Sequence, residues 1–348
     1  MKIDRPVLSA ILKRYGVFGS VIENTPIING QRLDMDGVTP RIKSITKVTI
    51  ENGSSFIVKI VKEKEHPTHI IEQQSVFSQC LHKCGVRVPK RLMADTGKYC
   101  SIERVCGNYC SVTVEECLDG KELEFINEKY IAELAQIMAN MHSIAVANKC
   151  HIDLNTIWNI YDPHSDILQG YQRYSLLPKK YGDSHKGFDW GRYKAIHDTY
   201  LQKKNSLQKL WHQLPKYAVQ GDFSTNNVIV HEDASINGII DFNIAGDEVL
   251  VNDMVTEGIF ICYIMDLDKE LTEADRRGLF DTFVREYLRT RVLSKQEKEV
   301  INDIYSIVFP FLWTRIEILE SCLQRGAILE ANAFLEETWE ILTTPYFV

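Results

Sequence analysis

The chain has 348 residues, of which 45% are hydrophobic and 25% are charged, as in an ordinary globular protein and unlike a disordered one. Its 40 Lys and Arg residues against 47 Asp and Glu residues give a formal net charge of −7. This balance argues against nucleic-acid binding, which needs a basic surface. The longest apolar runs, 258–265 and 304–313, are far shorter than the roughly 20 residues that cross a bilayer. With no apolar stretch after the first charged residues, we expect no signal peptide, a cytoplasmic protein and no membrane partner.

The cysteines are numerous and irregularly spaced. The chain has nine, and six of them lie between Cys80 and Cys117. Their spacings do not match the paired C-x2-C pattern that is typical of zinc sites. We therefore expect unpaired, mostly buried thiols in a reducing compartment.

The first third of the chain predicts an antiparallel sheet interrupted by a helix. β-Branched residues on both sides of Asn52-Gly53 predict a hairpin, and Gly85 marks the end of a helical stretch. The predicted elements are, in chain order, a helix over 1–20, strands over 42–50 and 56–61, a helix over 69–84, and strands over 99–104 and 109–116.

The remainder of the chain is predicted to be mainly helical. Apolar residues on one helix face predict a core helix over 130–143, with His142 packed near its end. The stretch 151–195 is rich in Tyr and Trp, which could form a cage for a quaternary ammonium ion but more often pack helices. A short β segment, 217–242, interrupts the helices.

That β segment carries the candidate chemistry. Two apolar strands, 227–230 and 236–240, flank a polar turn and predict a hairpin, and a loop carrying Asp222 leads into it. Because the strands are antiparallel, Asn227 and Asp241 are expected to converge, with Asp222 beside them. Two carboxylates and an amide oxygen suit Mg²⁺, which takes oxygen ligands and keeps phosphate in its shell. The predicted arrangement is that of a phosphoryl-transfer site.

Gly221-Asp222-x-x-x-x-Asn227 followed by Ile240-Asp241-Phe242 resembles the aminoglycoside phosphotransferase/choline kinase family, a phosphotransferase enzyme family with a protein-kinase-like fold. Further motifs occur in the family's order over roughly residues 40–260. They are a third strand with a phosphate-binding lysine (56–60), the turn after the N-lobe helix (84–89), a hinge between lobes (114–120), a helix ending at His142, and Asp253, where the family has an Asp that braces the active-site loop.

The resemblance implies an α+β, two-lobed protein-kinase-like fold. A small antiparallel-sheet, nucleotide-binding N-lobe would span 1–117, and a larger, mainly helical C-lobe would span 118–348, with the active site in the cleft between them. The implied activity is transfer of the γ-phosphoryl group of ATP, assisted by Mg²⁺, to a hydroxyl of a small molecule. Aminoglycosides, choline or ethanolamine, homoserine and sugar-like molecules are all possible acceptors. The acidic net charge slightly favours a cationic one, and the oligomeric state stays open.

The resemblance also implies roles for the three residues of the β segment. Asp222 would be the catalytic base that accepts the proton of the substrate hydroxyl. Asn227 and Asp241 would hold the magnesium ions that bridge the nucleotide phosphates. The family usually has a His two residues before the catalytic Asp, whereas this chain has Gln220, which can still hydrogen-bond as a structural brace.

Nucleotide binding is assigned to the first part of the chain. Lys59 would contact the α- and β-phosphates, and because its strand is apolar on both faces it needs an anionic partner. That partner would be Glu72, a carboxylate in the following helix, although the family register points to Gln74. The backbone around Glu115 and Cys117 would hydrogen-bond the adenine.

Two other interpretations stay open. Gln220 and Gln74 would also suit a catalytically silent kinase-like protein that binds a ligand or partner. A protein kinase is less favoured, because no activation segment with an Ala-Pro-Glu-like end follows Asp241. No Gly-rich phosphate loop is recognisable, and Gly30 and Gly37 lie before the first predicted strand.

Overall fold

The computed structural model describes residues 3–33, 40–63, 67–163, 165–182, 185–265 and 271–347. Its strands are β1 (Val21–Leu33), β2 (Pro40–Ile50), β3 (Ser55–Lys62), β4 (Cys100–Val105), β5 (Asn108–Glu116), β6 (Lys121–Glu122), β7 (Lys216–Val219), β8 (Val228–Val230), β9 (Ile236–Ile239) and β10 (Gly246–Val249). Its helices are α1 (Arg5–Arg14), α2 (Thr68–Lys83), α3 (Glu128–Asn148), α4 (Gln169–Ser175), α5 (Leu177–Tyr181), α6 (Trp190–Trp211), α7 (Leu250–Ile259), α8 (Glu273–Thr290), α9 (Lys295–Val308), α10 (Trp313–Gln324) and α11 (Ile328–Thr343).

The chain folds into two compact units, each built from separate stretches of sequence. The first unit comprises Met1–Glu124, Ala147–Leu154 and Ser224–Ala245. The second unit comprises Phe125–Val146, Asn155–Phe223 and Gly246–Val348. The predicted boundary between an N-terminal lobe, 1–117, and a C-terminal lobe, 118–348, stays a prediction.

A five-stranded antiparallel sheet in the order β1-β2-β3-β5-β4 forms most of the first unit. The predicted strands and hairpin are confirmed, but β1 was not anticipated. Pro26 interrupts its apolar pattern, and the pairing with β2 slips near Val21 and Pro26. A proline is tolerated here because β1 is an edge strand, where one face of the backbone needs no partner. The sheet packs its apolar face on α1, around Leu8, Val58 and Val112.

Helix α2 follows the sheet's third strand and ends as predicted. Gly85 takes a φ of +87°, a left-handed conformation that glycine adopts without steric cost. In this turn the Val86 N–H donates to the Leu81 carbonyl at 3.0 Å, which satisfies one of the last carbonyls of the helix. The inward face of α2 buries Phe77, whose ring meets that of Phe242 edge to face with centroids 5.9 Å apart.

The predicted hairpin exists in the first unit as β8 and β9, and β6 extends it to a three-stranded sheet. Val228 pairs with Ile239, close to the predicted register. Gly238 is required here, because a Cβ at this position would lie 2.7 Å from the backbone oxygen of Arg87. The Ile239 N–H donates to that same oxygen at 2.9 Å, so the hairpin is tied to the chain just after α2.

The second unit is mainly helical, with β7 and β10 paired in a short antiparallel ribbon. The predicted core helix is confirmed as α3, which is longer than expected. The aromatic residues of the 151–195 stretch pack helices. Tyr171 of α4 stacks on Tyr200 of α6, with ring centroids 3.5 Å apart. The Lys204 ammonium lies 5.9 Å from the Tyr200 ring centroid, a cation–π contact within the protein.

The predicted fold class is confirmed. The N-terminal part is an antiparallel sheet with helices, and the C-terminal part is mostly helical, as in kinase-like proteins. Over the described ranges, none of the helices is both long enough and apolar enough to span a membrane.

Candidate active site

Lys59 is a buried cation on the central strand β3, with 6% of its surface exposed. Its ammonium lies 3.2 Å from Glu115 Oε1 and 3.5 Å from Asp241 Oδ1. A buried lysine is stable only beside anions, since leaving its charge unpaired in the interior is costly. The structure therefore brings together the predicted phosphate-binding lysine and one predicted metal ligand.

Glu115 holds Lys59 through its side chain, which the sequence did not indicate. Lys59 pairs with Thr113 on β5, so Glu115 lies on the same sheet face at the diagonal position. The second oxygen of Glu115 accepts from Arg91 Nη1 at 2.7 Å, and both side chains are buried. A carboxylate shared by two cations stabilises Lys59 in a fixed position.

Glu72 does not hold Lys59, and that prediction is wrong. Its carboxylate accepts from the backbone N–H groups of Tyr99 at 3.2 Å and of Cys100 at 2.6 Å. It therefore anchors α2 to the start of β4. The reason is rotation of the helix: the side chain at position 72 points toward β4, away from Lys59.

Gln74, two residues further on, is buried and supports the segment after Asp241. Its Nε2 donates to the carbonyl of Asn243 at 2.8 Å and to that of Ala245 at 3.0 Å. Gln74 also lines a small cavity with Lys59 and with Lys43 of β2. Lys43 is thus a second cation at this site that the sequence analysis missed, because nothing in a single strand shows which β2 residue faces Lys59.

The predicted adenine-binding segment lies at the end of β5. The Cys117 N–H donates to the Ser55 carbonyl at 3.0 Å, and the Glu116 N–H donates to the Lys90 carbonyl at 3.0 Å. Both N–H groups are engaged by backbone carbonyls of neighbouring segments. The predicted adenine contact of the backbone around Glu115 and Cys117 stays a prediction.

Asp241 follows β9 in an unusual backbone conformation. Its φ of +57° lies in the left-handed region, which Asp tolerates better than most residues but at some cost. Burial by itself raises the pKa of Asp241, but the charges of Lys59, Lys43 and Arg91 and the N–H of Asn243 outweigh burial and hold that pKa below its usual value. Asp241 therefore stays ionised at neutral pH.

Asn227 ends the turn before β8 and is buried. Its Nδ2 donates to Ser224 Oγ at 3.0 Å, which fixes the orientation of the amide. Its backbone carbonyl accepts from the Ile240 N–H at 2.8 Å, one residue before Asp241. The predicted convergence of Asn227 and Asp241 in the hairpin is thus present within the first unit.

Asp222 lies in the second unit, on the loop after β7. Gln220 is buried, and its Oε1 accepts from the Asp222 N–H at 2.7 Å, so Gln220 braces this loop by its own hydrogen bond. Gly221 has a φ of +75°, which turns the chain sharply before Asp222. The predicted position of Asp222 beside Asn227 and Asp241 stays a prediction.

Glu257 bonds directly to Phe223 on one side of Asp222 and is linked to Gly221 on the other side only through Trp158, and sequence reasoning missed it. The carboxylate is fully buried on α7; Oε2 accepts from the Phe223 N–H at 3.3 Å, and Oε1 accepts from Trp158 Nε1 at 2.8 Å. The same indole N–H also donates to the Gly221 carbonyl at 2.9 Å. Burial, and then the negative charges of Asp253 and Asp222, raise the pKa of Glu257 well above its usual value.

Asp253 lies one turn before Glu257 and binds His142. His142 Nε2 lies 3.0 Å from Asp253 Oδ2, and Nδ1 lies 2.7 Å from the Tyr287 hydroxyl. His142 is thus a satisfied core histidine, as expected. The backbone around Asp222 is held by Gln220 and Glu257, and the bracing role expected of Asp253 stays a prediction.

The donor set at Asn227 and Asp241 fits a magnesium ion. It offers an amide oxygen and an ionised carboxylate, and Mg²⁺ in nucleotide sites is usually held by one or two protein oxygens plus phosphates. The cations Lys59 and Lys43 would neutralise further phosphate charge. Among the described residues no group of three or more His, Cys, Asp or Glu side chains forms a metal site.

The fold is shared with solved small-molecule kinases. The amicoumacin kinase hAmiN, solved in complex with AMP-PNP, Ca²⁺ and Ami, is 17% identical with a TM-score of 0.55, over 99% of this chain and 95% of that one. A microcompartment-associated aminopropanol kinase is 15% identical with a TM-score of 0.54, over 98% of each chain. At this identity the likeness concerns the fold. A search of curated proteins gave no match.

The kinase-like fold, with the buried Lys59 facing Asp241 and with Asn227 next to Asp241, places the protein among the kinase-like proteins. Residues 45–293 match the model of the phosphotransferase enzyme family, which is more than two thirds of the chain. The chain belongs to this family, whose members are kinase-like phosphotransferases that act on small molecules.

Proposed function

We propose that this protein transfers the γ-phosphoryl group of ATP to a hydroxyl group of a small molecule. The observation that carries the proposal is the buried Lys59 ammonium 3.5 Å from the ionised Asp241, with Asn227 beside Asp241 in the same hairpin. A cation for phosphates and oxygen ligands for a metal are the two requirements of nucleotide binding in this class. Membership of the phosphotransferase family supports it.

The residues of the first unit would bind and orient the nucleotide. Lys59 would bind the α- and β-phosphates, with Glu115 holding the ammonium in place. Lys43, on the same face of the sheet, would add a second positive charge. Asn227 and Asp241 would hold Mg²⁺, which when bound neutralises charge on the phosphate oxygens.

Asp222 would act as the catalytic base. The acceptor hydroxyl oxygen bonds to the γ-phosphorus, the bond from that phosphorus to the β–γ bridging oxygen breaks, and ADP leaves. The hydroxyl proton moves to the Asp222 carboxylate. Gln220 and Glu257, by fixing the backbone on both sides of Asp222, would keep that carboxylate in place.

Two variants separate nucleotide binding from chemistry. We expect Asp241→Ala to lose the rise in melting temperature that ATP with Mg²⁺ gives the wild type, because the metal loses its carboxylate ligand. Asp222→Asn should keep that rise but lose about 10²-fold or more of turnover, the usual contribution of a general base. Thermal shift and ADP release measure the two effects.

Glu232→Gln, exposed in the turn between β8 and β9, is the matched control and should behave as wild type. Full turnover by Asp222→Asn would refute the assignment of the base. A nucleotide-induced shift retained by Asp241→Ala would refute the metal site.

A catalytically silent nucleotide-binding protein is the second candidate. Gln74, which bonds to backbone carbonyls, stands where the family register would place the partner of the lysine. Such a protein would show the thermal shift with ATP and Mg²⁺ but no ADP release with any acceptor. A screen across hydroxylated amines, amino acids and sugars therefore decides between the two and identifies the acceptor. The cytoplasmic location and the lack of a nucleic-acid partner stay predictions.

A further inference from the structure

Cysteines that the proposed function does not use form a cluster in the first unit. Cys80 lies in the last turn of α2 and Cys84 caps the helix four residues later, and Cys150 lies 70 positions after Cys80 in the chain. The Cys150 and Cys80 sulfur atoms are 3.7 Å apart and partly buried. Neither of the two is in a disulfide. The fold thus brings two distant cysteines into van der Waals contact.

The thiol pair lies within an ordered contact between α2 and the segment 148–153. On one side, Gln73 Nε2 donates to Asp153 Oδ2 at 2.7 Å, and the Asp153 N–H donates to Gln73 Oε1 at 2.9 Å. On the other side, Asn148 Nδ2 lies 3.9 Å from Cys84 Sγ. The contacts on both sides keep the two sulfur atoms together.

The spacing along the two segments is consistent with this contact. Positions 73 and 80 of α2 are seven residues apart and share one face of the helix, and the capping position 84, four residues further on, continues that face. Seven helical residues rise about 10.5 Å, and the three residues from 150 to 153 can reach about 10 Å. The segment therefore runs antiparallel to the helix, with position 153 beside 73, position 150 beside 80 and position 148 beside 84.

We propose that Cys80 and Cys150 form a reversible disulfide, with a small-molecule disulfide such as oxidised glutathione as the oxidant. One protein thiolate attacks the glutathione disulfide, which gives a mixed disulfide and releases one glutathione thiolate. The second protein thiolate attacks the protein-bound sulfur, the Cys80–Cys150 bond forms, and the second glutathione leaves. Two protein thiols are oxidised, and one oxidised glutathione becomes two reduced ones.

The modification would act on α2, the helix that supports the Asp241 segment through Gln74. A Cys80–Cys150 bond closes a long loop and so removes conformational freedom from the unfolded chain. It would also fix α2 against the segment 148–153, where the polar contacts of Gln73 already hold it. The proposal rests on this contact and does not depend on the proposed catalytic function.

The test maps disulfides in the purified full-length chain. The reduced protein is equilibrated with mixtures of reduced and oxidised glutathione, alkylated, digested and analysed without reduction. We expect a peptide that links Cys80 to Cys150, formed in the native protein at an oxidised-to-reduced ratio about tenfold or more lower than in urea, because the fold holds the thiols together. The melting temperature of the linked protein should rise and return to its initial value with dithiothreitol.

Variants serve as controls for this map. Cys84→Ser should still give the linked peptide, whereas Cys150→Ser should give only a glutathione adduct at Cys80. Glutathione adducts at both Cys80 and Cys150 in the native wild type, with no linked peptide, would overturn the proposal. Linkage at the same ratio in urea as in the native protein would also overturn it.

Discussion

At the scale of single residues, the surroundings of Asp241 and Glu257 shift the pKa values of the two carboxyl groups in opposite directions. Asp241, beside Lys59 and Lys43, is held ionised, as a metal ligand must be. Glu257 is fully buried near two other acids, which favours its protonated form. The oxygens of Glu257 nevertheless accept hydrogen bonds from the Phe223 N–H, next to Asp222, and from Trp158 Nε1, which also donates to the Gly221 carbonyl. Glu257 is therefore a positioning residue for the proposed base.

Two substitutions of Glu257 test this role. Glu257→Ala removes the acceptor of the Phe223 N–H and one of the two acceptors of the Trp158 indole N–H. It should lower the free energy of unfolding by about 2–4 kcal/mol. Glu257→Gln resembles the protonated acid and keeps one acceptor oxygen. We therefore expect its loss in free energy of unfolding, measured by urea denaturation, to be less than half that of Glu257→Ala.

The same variants have a kinetic readout that a purely structural role would not give. ADP release should slow in Glu257→Ala while the KM for ATP stays unchanged, because Glu257 bonds to the Phe223 N–H next to Asp222 and is not among the residues proposed to bind the nucleotide. A raised KM for ATP with unchanged kcat would contradict the positioning role.

At the scale of elements, the β8–β9 hairpin determines where Asn227 and Asp241 lie. The hairpin packs at Gly238 against the backbone of Arg87, where a Cβ would come within 2.7 Å of the carbonyl oxygen. Register in such a short hairpin is set by these close contacts as well as by strand pairing. A small change at Gly238 should therefore move Asn227 and Asp241, the proposed metal ligands.

Gly238→Ala should destabilise the protein by about 1–3 kcal/mol through this overpacking and weaken the thermal shift given by ATP with Mg²⁺. The control is Gly278→Ala in α8, where an added Cβ meets nothing within 4 Å. That control should stabilise by about 0.5–1 kcal/mol, since alanine favours helix. Equal effects of the two substitutions would contradict the close contact at Gly238.

At the scale of the whole molecule, two carboxyl groups with shifted pKa values make the free energy of unfolding depend on pH. Asp241 favours stability at higher pH, and Glu248 favours it at lower pH. Because the pKa of Asp241 is lowered in the folded protein, its ionised carboxylate stabilises the fold at pH values above the ordinary Asp pKa. This stabilisation is lost as the pH falls through the lowered pKa. Glu248 is fully buried, and burial raises its pKa to about 8. The contribution of protonated Glu248 to stability is fully present below the ordinary pKa of 4.5. It is lost as the pH rises through the raised pKa of about 8.

The free energy of unfolding should therefore fall as the pH rises from about 5 to 8, since the unfolded chain releases the Glu248 proton, at up to about 1.4 kcal/mol per pH unit for one group. Glu248→Gln cannot release a proton, so its slope over this range should be shallower. Urea denaturation at several pH values measures both slopes, with Glu232→Gln as an exposed control. Identical slopes for wild type and Glu248→Gln would contradict the burial effect.

The sequence by itself determined the local elements and their order. The strands around Asn52-Gly53, the end of α2 at Gly85, and the hairpin that joins Asn227 to Asp241 all follow from patterns of neighbouring residues, and the structure has each of them. The motifs from Lys59 to Asp241, taken in their order along the chain, also resembled those of the family to which the chain belongs.

Only the tertiary structure decided which side chains meet. Glu115 holds Lys59 because of the register of β3 on β5, whereas Glu72 turns to β4 because of the rotation of α2. Cys150 meets Cys80 across 70 positions of chain for the same kind of reason. Local patterns specify an element's period and ends, but the rotation and register of one element against another depend on the packing of the whole core.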